Sequence, residues 1–163
     1  MVVTHLVAIL LNPKLGGGPS TSSRNIKTAA ELLGASTQEI VNLSLVPTLD
    51  GPGLNLEATG RDVWTPAQPL ISDAITRADL ILAGWGRQQF TQGARQGFSM
   101  QEIWVIDRLR KQGFESVFTL DGAPRHPSRW RMYLGPQRGI HMGGSFEDRL
   151  RRALTFTHLT ELE

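Results

Sequence analysis

The stretch VTHLVAILLNPKLGGGPSTSS, residues 3–23, decides the fold. Residues 3–11 are an apolar run of strand length that stops at Asn12-Pro13. A continuous apolar run, unlike an alternating one, predicts a strand covered on both faces. Three glycines and a proline then open a loop. Ser22 or Ser23 is expected to cap a helix reaching about Leu33, with Ala29, Ala30, Leu32 and Leu33 as its apolar stripe and Gly34 as its stop. Strand, loop and helix in this order form the unit from which α/β sheets are built.

The same alternation continues down the chain. EIVNLSLV (39–46) reads as a second strand, followed by eighteen residues (47–64) too long for a simple connector and therefore read as a functional loop. Thr65-Pro66 starts a helix, since proline suits a first turn. DLILAGW (79–85) is a third strand, and a polar loop follows from Gly86 to Gly97. Ser99 and Glu102 form a capping box for the next helix. SVFTL (116–120) is a fourth strand, after which a loop carries Arg125 to Arg131. Ser145 and Asp148 introduce a last helix with Phe146, Leu150 and Leu154 on one face.

The expected fold is a single domain, a three-layer α/β/α sandwich around a mostly parallel four-stranded sheet. Asn12, Asn42, Trp85 and the Asp121–Arg131 loop then fall at the C-terminal ends of strands, the edge where open parallel sheets place ligands.

Composition narrows the function classes. The chain has 163 residues, 40% hydrophobic and 20% charged, ordinary globular values for one domain. It contains no cysteine, which excludes disulfides and thiolate chemistry and fits a reducing, cytoplasmic setting. The N-terminal run lacks the basic flank and cleavage site of a signal peptide, and no run approaches membrane-spanning length, so no membrane partner is expected. Net charge is +2, yet ten of the Lys and Arg residues fall between Arg108 and Arg152, against Glu115, Asp121, Glu147 and Asp148. That asymmetry permits a polyanion-binding face, although charge asymmetry alone reads first as a solvated basic surface.

Several motifs point away from common chemistries. Gly16-Gly17-Gly18 invites a phosphate-loop reading but lacks the lysine and hydroxyl residue of that pattern. In the Gly84-Trp85-Gly86 segment, Gln89 stands where a dinucleotide fingerprint needs its third glycine. His5, His126, His141 and His158 show no metal-ligand spacing, so neither a metal nor a cofactor is expected. No Gly-x-Ser-x-Gly elbow is present. Only His126 is boxed into a stiff loop, between Pro124 and Pro127, and taken alone it reads first as a turn histidine bonding nearby backbone. Asn12 and Asn42 occupy strand positions where asparagine is disfavoured; one such residue is commonly a loop staple, whereas two at one sheet edge suggest a binding role.

The order LLNP (10–13), VNL (41–43), GRDVWTP (60–66), LILAGWG (80–86) and RHPSRW (125–130) resembles the uracil-DNA glycosylase superfamily. There an Asp-Pro or Asn-Pro water-positioning loop comes first and a His-Pro-Ser loop last. The same residues are similar to a small bacterial and phage family with a Leu-Asn-Pro start and an Arg-His-Pro loop. The resemblance spans residues 9–134.

It implies hydrolysis of the N-glycosidic bond of a flipped uracil, modified or damaged base in DNA, by a monomer. Asn12 would hold the attacking water and His126 would donate to the departing base. Asn42 would read the base, with Leu15 and Trp85, or Phe90, beside it. Trp130 falls at the wedge position, and Lys14, Ser128, Arg129 and Arg131 would meet phosphates. Lys14 and Leu15 stand where the most active branch screens out thymine with a tyrosine, so a larger base fits as well as uracil. A non-catalytic nucleic-acid-binding module and a nucleoside or nucleotide hydrolase are the alternatives.

Overall fold

The computed structural model describes residues 2–136 and 141–163, so Arg138 of the basic segment lies outside the described residues. The apolar run that opens the chain forms β1 (His5–Leu10) in the interior of the sheet. Its side chains alternate between two cores. Val7, Ile9 and Leu11 pack with one cluster, and Leu6, Ala8 and Leu10 with the other, none more than 4% exposed. Burial on both faces is why the run is continuous, and it makes the molecule three-layered.

The first core is closed by α2 (Gly51–Gly60), α3 (Gln68–Arg77) and α4 (Gln92–Gln112). On the opposite face lie α1 (Thr21–Leu32), the short α5 (Trp130–Tyr133) and α6 (Phe146–Ala153). The remaining strands are β2 (Thr37–Asn42), β3 (Leu80–Ala83), β4 (Ser116–Leu120) and β5 (Leu154–His158), in the order β2-β1-β3-β4-β5. Strands β2, β1, β3 and β4 run parallel, with Leu10 opposite Asn42 and Ile9 opposite Ala83. From β1 the chain goes to one side for β2 and to the other for β3. Their diverging crossovers leave a crevice beyond the ends of β1 and β3, where such sheets bind ligands.

Among the described residues the sheet has five strands, where four were expected. β5 pairs antiparallel with β4, from Ser116 opposite His158 to Leu120 opposite Leu154. Leu154 continues the Phe146–Leu150 stripe and so reads as helix, but α6 passes into β5 without an intervening turn. Cross-strand pairs hold the added strand: the Thr119 and Thr157 hydroxyls lie 2.7 Å apart, and the Phe118 and Phe156 rings 5.0 Å.

Other boundaries also differ, β2 ending at Asn42 and not at Val46. Ser20, not Ser22 or Ser23, caps α1, in a reciprocal box with Ser23. The stretch read as a loop after β2 contains α2, capped by Asp50 accepting from the Gly53 backbone N–H at 2.8 Å. Gly51, Pro52 and Gly53 sit in its first turn, where proline is favoured. Helix α4 begins at Gln92, so Ser99 and Glu102 lie inside it and cap nothing. Buried Ala94 and Phe98 carry the apolar stripe back beyond Ser99. The box at Ser145 and Asp148 does start α6.

Candidate functional site

An open cleft of about 770 Å³ lies at the C-terminal edge of the sheet, and Asn12, Asn42 and His126 all line it. One wall comes from the loop after β1, the first residues of α1 and the loop leading into α2. The other comes from residues 85–89 and 125–129 together with Tyr133.

Asn12 is half-buried and its orientation is fixed by its neighbours. Nδ2 donates to the Thr48 hydroxyl at 2.7 Å and to the Val46 carbonyl at 3.0 Å. A second carbonyl, that of Pro13, lies 3.4 Å away. Only the NH2 end of the amide suits such a set of acceptors. The Thr48 hydroxyl passes its own hydrogen to the Asp50 carbonyl at 2.7 Å. The amide nitrogen is therefore a staple between the β1 and β2 loops, reinforced by the Lys14–Thr48 bridge and the Leu15 N–H bond to the Thr48 carbonyl. Oδ1 has no protein partner among the described residues and remains an acceptor on a cleft residue. Asn42, at the end of β2, has neither end of its amide engaged among the described residues.

His126 begins the short 3-10 turn Pro127–Arg129. The Ser128 backbone N–H donates to Nδ1 at 3.3 Å, and the Ser128 hydroxyl lies 2.9 Å from the same atom. A backbone N–H can only donate, so Nδ1 is the bare nitrogen and Nε2 carries the hydrogen of the neutral ring. Burial, with a smaller contribution from the Arg129 guanidinium, pulls the His126 pKa down to about 4. At neutral pH the site thus holds an uncharged imidazole whose Nε2–H is the available donor.

The Gly84-Trp85-Gly86 segment explains how this loop is seated. A side-chain carbon at Gly84 would stand 2.8 Å from Leu10 Cδ2 and 3.1 Å from Pro127 Cδ. At Gly86, where φ is +80°, it would stand 3.3 Å from His126 Cβ. The Gly86 N–H donates to the Pro124 carbonyl at 2.6 Å. The two glycines are contact surfaces for the histidine loop, not a nucleotide fingerprint. From the other side, buried Asn25 of α1 donates to the Pro127 carbonyl at 2.7 Å. Gly84→Val is expected to lift the loop off β3 and destabilise the protein by roughly 1–3 kcal/mol through overpacking. A lowered denaturation midpoint, together with a His126 pKa moved back towards 6.5, would show it.

Several expected site residues are buried or set back from the cleft surface. Trp130 is fully buried in the core on the α1 side, and its indole N–H donates to the Arg125 carbonyl at 2.9 Å. Helix α5 turns the ring under the histidine loop, so Trp130 supports the loop and is not an exposed wedge. Leu15 is 45% exposed and does not line the cleft. Trp85 reaches the cleft floor but is 1% exposed, its indole N–H donating to the Glu102 carboxylate at 2.6 Å. Burial pushes the Glu102 carboxyl up, against the opposing pull of the Trp85 N–H and Arg87. Phe90 is 7% exposed within an aromatic cluster with Trp64 and Phe98.

The chain matches no protein-family model, no curated protein and no solved structure.

Charge at the cleft differs from the pattern along the chain. Lys14, Arg87, Arg125 and Arg129 line it, with Asp50 as the one carboxylate among the lining residues. Much of the basic C-terminal segment is employed elsewhere. Arg149 bonds the Leu134 and Gly144 carbonyls, and Arg152 those of His141, Met142 and Gly143. Arg110 pairs with Glu163 and Lys111 with Asp107. Arg131 lies over the Phe146 ring at 4.1 Å, off the cleft.

Sequence reasoning passed over Tyr133, which is 40% exposed on the cleft wall with the Arg125 guanidinium 4.3 Å from its ring centre. It also passed over Asn25, whose only signal was an amide on the apolar face of a helix. Among the described residues, no three His, Asp or Glu side chains are grouped to hold a metal ion, and no helix is long and apolar enough to cross a membrane.

Proposed function

We propose that the chain is a DNA glycosylase-like hydrolase, cleaving the N-glycosidic bond of a uracil, modified or damaged base held in the cleft between β1 and β3. The observation that carries this reading is the meeting of Asn12, Asn42 and the neutral His126 on one cationic cleft.

Breaking the C1′–N bond sends its electron pair to the base and leaves positive charge on the sugar. The Nε2–H of His126 meets the anion as it develops, the point where a preplaced donor helps most. Asn12 Oδ1 accepts from a water that adds to C1′. An amide is too weak a base to take the released proton, which passes to the departing base or to solvent. Asn42, with a donor and an acceptor both free, matches a base edge that offers the complementary pair. Tyr133 and Arg125 offer a stacking surface. Lys14, Arg87 and Arg129 supply cations for phosphates, so binding should weaken steeply with added salt.

Incubation with oligonucleotides carrying uracil, hypoxanthine and other altered bases, followed by scission at abasic sites, tests the proposal. Abasic product from at least one substrate is expected, and none across the panel counts against it. The burial of Trp130 favours a second reading, a hydrolase of free nucleosides or nucleotides, because such substrates need no wedge. Small-molecule turnover without abasic product would favour it.

A further inference from the structure

A glycosylase acting on paired DNA must fill the gap left by the extruded base, and Trp130 is not available to do so. The opposite lip of the cleft carries an apolar side chain that the protein itself leaves uncovered. Leu49 lines the cleft yet is 76% exposed, although it belongs to a loop whose backbone is tied down on both sides. Just before it, Thr48 is bonded by Asn12 Nδ2 and bridged to Lys14; just after it, Asp50 caps α2. Lys14 lines the cleft beside Thr48, and Leu15, 45% exposed and set back from the lining, donates its backbone N–H to the Thr48 carbonyl, so a second exposed leucine lies behind the lip.

We infer that Leu49, with Leu15 behind it, is the wedge that enters the base stack of duplex DNA. The inference rests on the glycosylase reading above. Three properties favour this occupant over others. The lip borders a cleft in which cations outnumber carboxylates, which suits a polyanion and disfavours an acidic-poor apolar protein partner. An apolar residue beside a cation is the chemistry by which proteins unstack a base step while holding its phosphates. The residue before Leu49, Thr48, accepts from Asn12 Nδ2 and donates to the Asp50 carbonyl just after it, so insertion of the leucine registers the vacated nucleotide against the residue that would hold water.

The test compares Leu49→Ala with the unaltered protein on one altered base presented in a duplex and in a single strand, with 2-aminopurine beside it reporting unstacking. Leu49 is exposed, so the variant should keep the melting temperature of the parent. The expected result is a loss of roughly tenfold or more in duplex binding and 2-aminopurine brightening, with single-strand binding unchanged. Equal behaviour of the two proteins on the duplex overturns the inference while leaving the glycosylase reading intact. Equal losses on duplex and single strand also overturn it, because Leu49 would then be a general contact. If the unaltered protein binds neither DNA, both the wedge and the glycosylase reading fall.

Discussion

Replacing His126 with alanine should lower the rate of base release by about 100- to 1,000-fold, the range lost when one preplaced donor to a developing anion is removed. The loop should survive, since Pro127 remains seated against Gly84 and held by Asn25. Single-turnover rates on the best substrate, with circular dichroism as the control, measure the effect. Loss of less than about threefold would mean that the imidazole does not meet the leaving group.

The same residue sets a pH signature. With its folded pKa at about 4, below the ordinary 6.5, His126 resists a proton that the unfolded chain accepts. Its share of stability is complete above about pH 6.5 and is lost as pH falls from there towards 4. Denaturant midpoints between pH 7 and 4 should therefore fall less steeply in His126→Asn than in the parent. An imidazole resonance titrating near 6.5 in the folded protein would contradict the half-buried, Nδ1-accepting ring.

The second large effect concerns Asn12. If its only task were to activate water, Asn12→Asp would supply a stronger base and a faster enzyme. The structure predicts the reverse. A carboxylate cannot donate to the Val46 carbonyl or the Thr48 hydroxyl, whose own hydrogen is already given to Asp50. It would face acceptors with no hydrogen between them, at a cost of about 1–3 kcal/mol for each half-buried group left unpaired. The expected outcome is a protein less stable by that order and a loop at Thr48 displaced, with lower activity. A variant of unchanged denaturation midpoint and higher rate would show that the staple carries no weight.

The candidate site was partly legible because strand ends are legible. Residues that interrupt an apolar run, such as Asn12 after Leu11 or the glycine after Ala83, mark the sheet edge whatever the tertiary details. Trp130 shows where such reading stops. The resemblance implied an exposed wedge at this position, but a single turn of α5 rotates the ring inward, and chain position carries no record of that rotation. β5 was missed for a related reason: Leu154 fits a helical stripe and a strand end equally, and only β4 lying alongside selects the strand. The basic segment was informative only in part, since Arg125 and Arg129 reach the cleft while charge counts along the chain ignore direction. Arg149 and Arg152 are spent on carbonyls of the loop before α6, whereas Lys14 and Arg87 reach the cleft from distant segments.

By itself the sequence determined the alternation of strands and helices and the burial of β1 on both faces, together with the placing of Asn12, Asn42 and the histidine loop at one edge. These follow from local periodicity and from residues that forbid continuation of an element. Tertiary packing alone decided which nitrogen of His126 bears hydrogen, which end of Asn12 faces the cleft, that two glycines seat the histidine loop, and that Leu49 stands exposed while Trp130 does not. Each of those depends on atoms brought together from remote parts of the chain, and hydrogen-bond direction and burial exist only once those atoms meet.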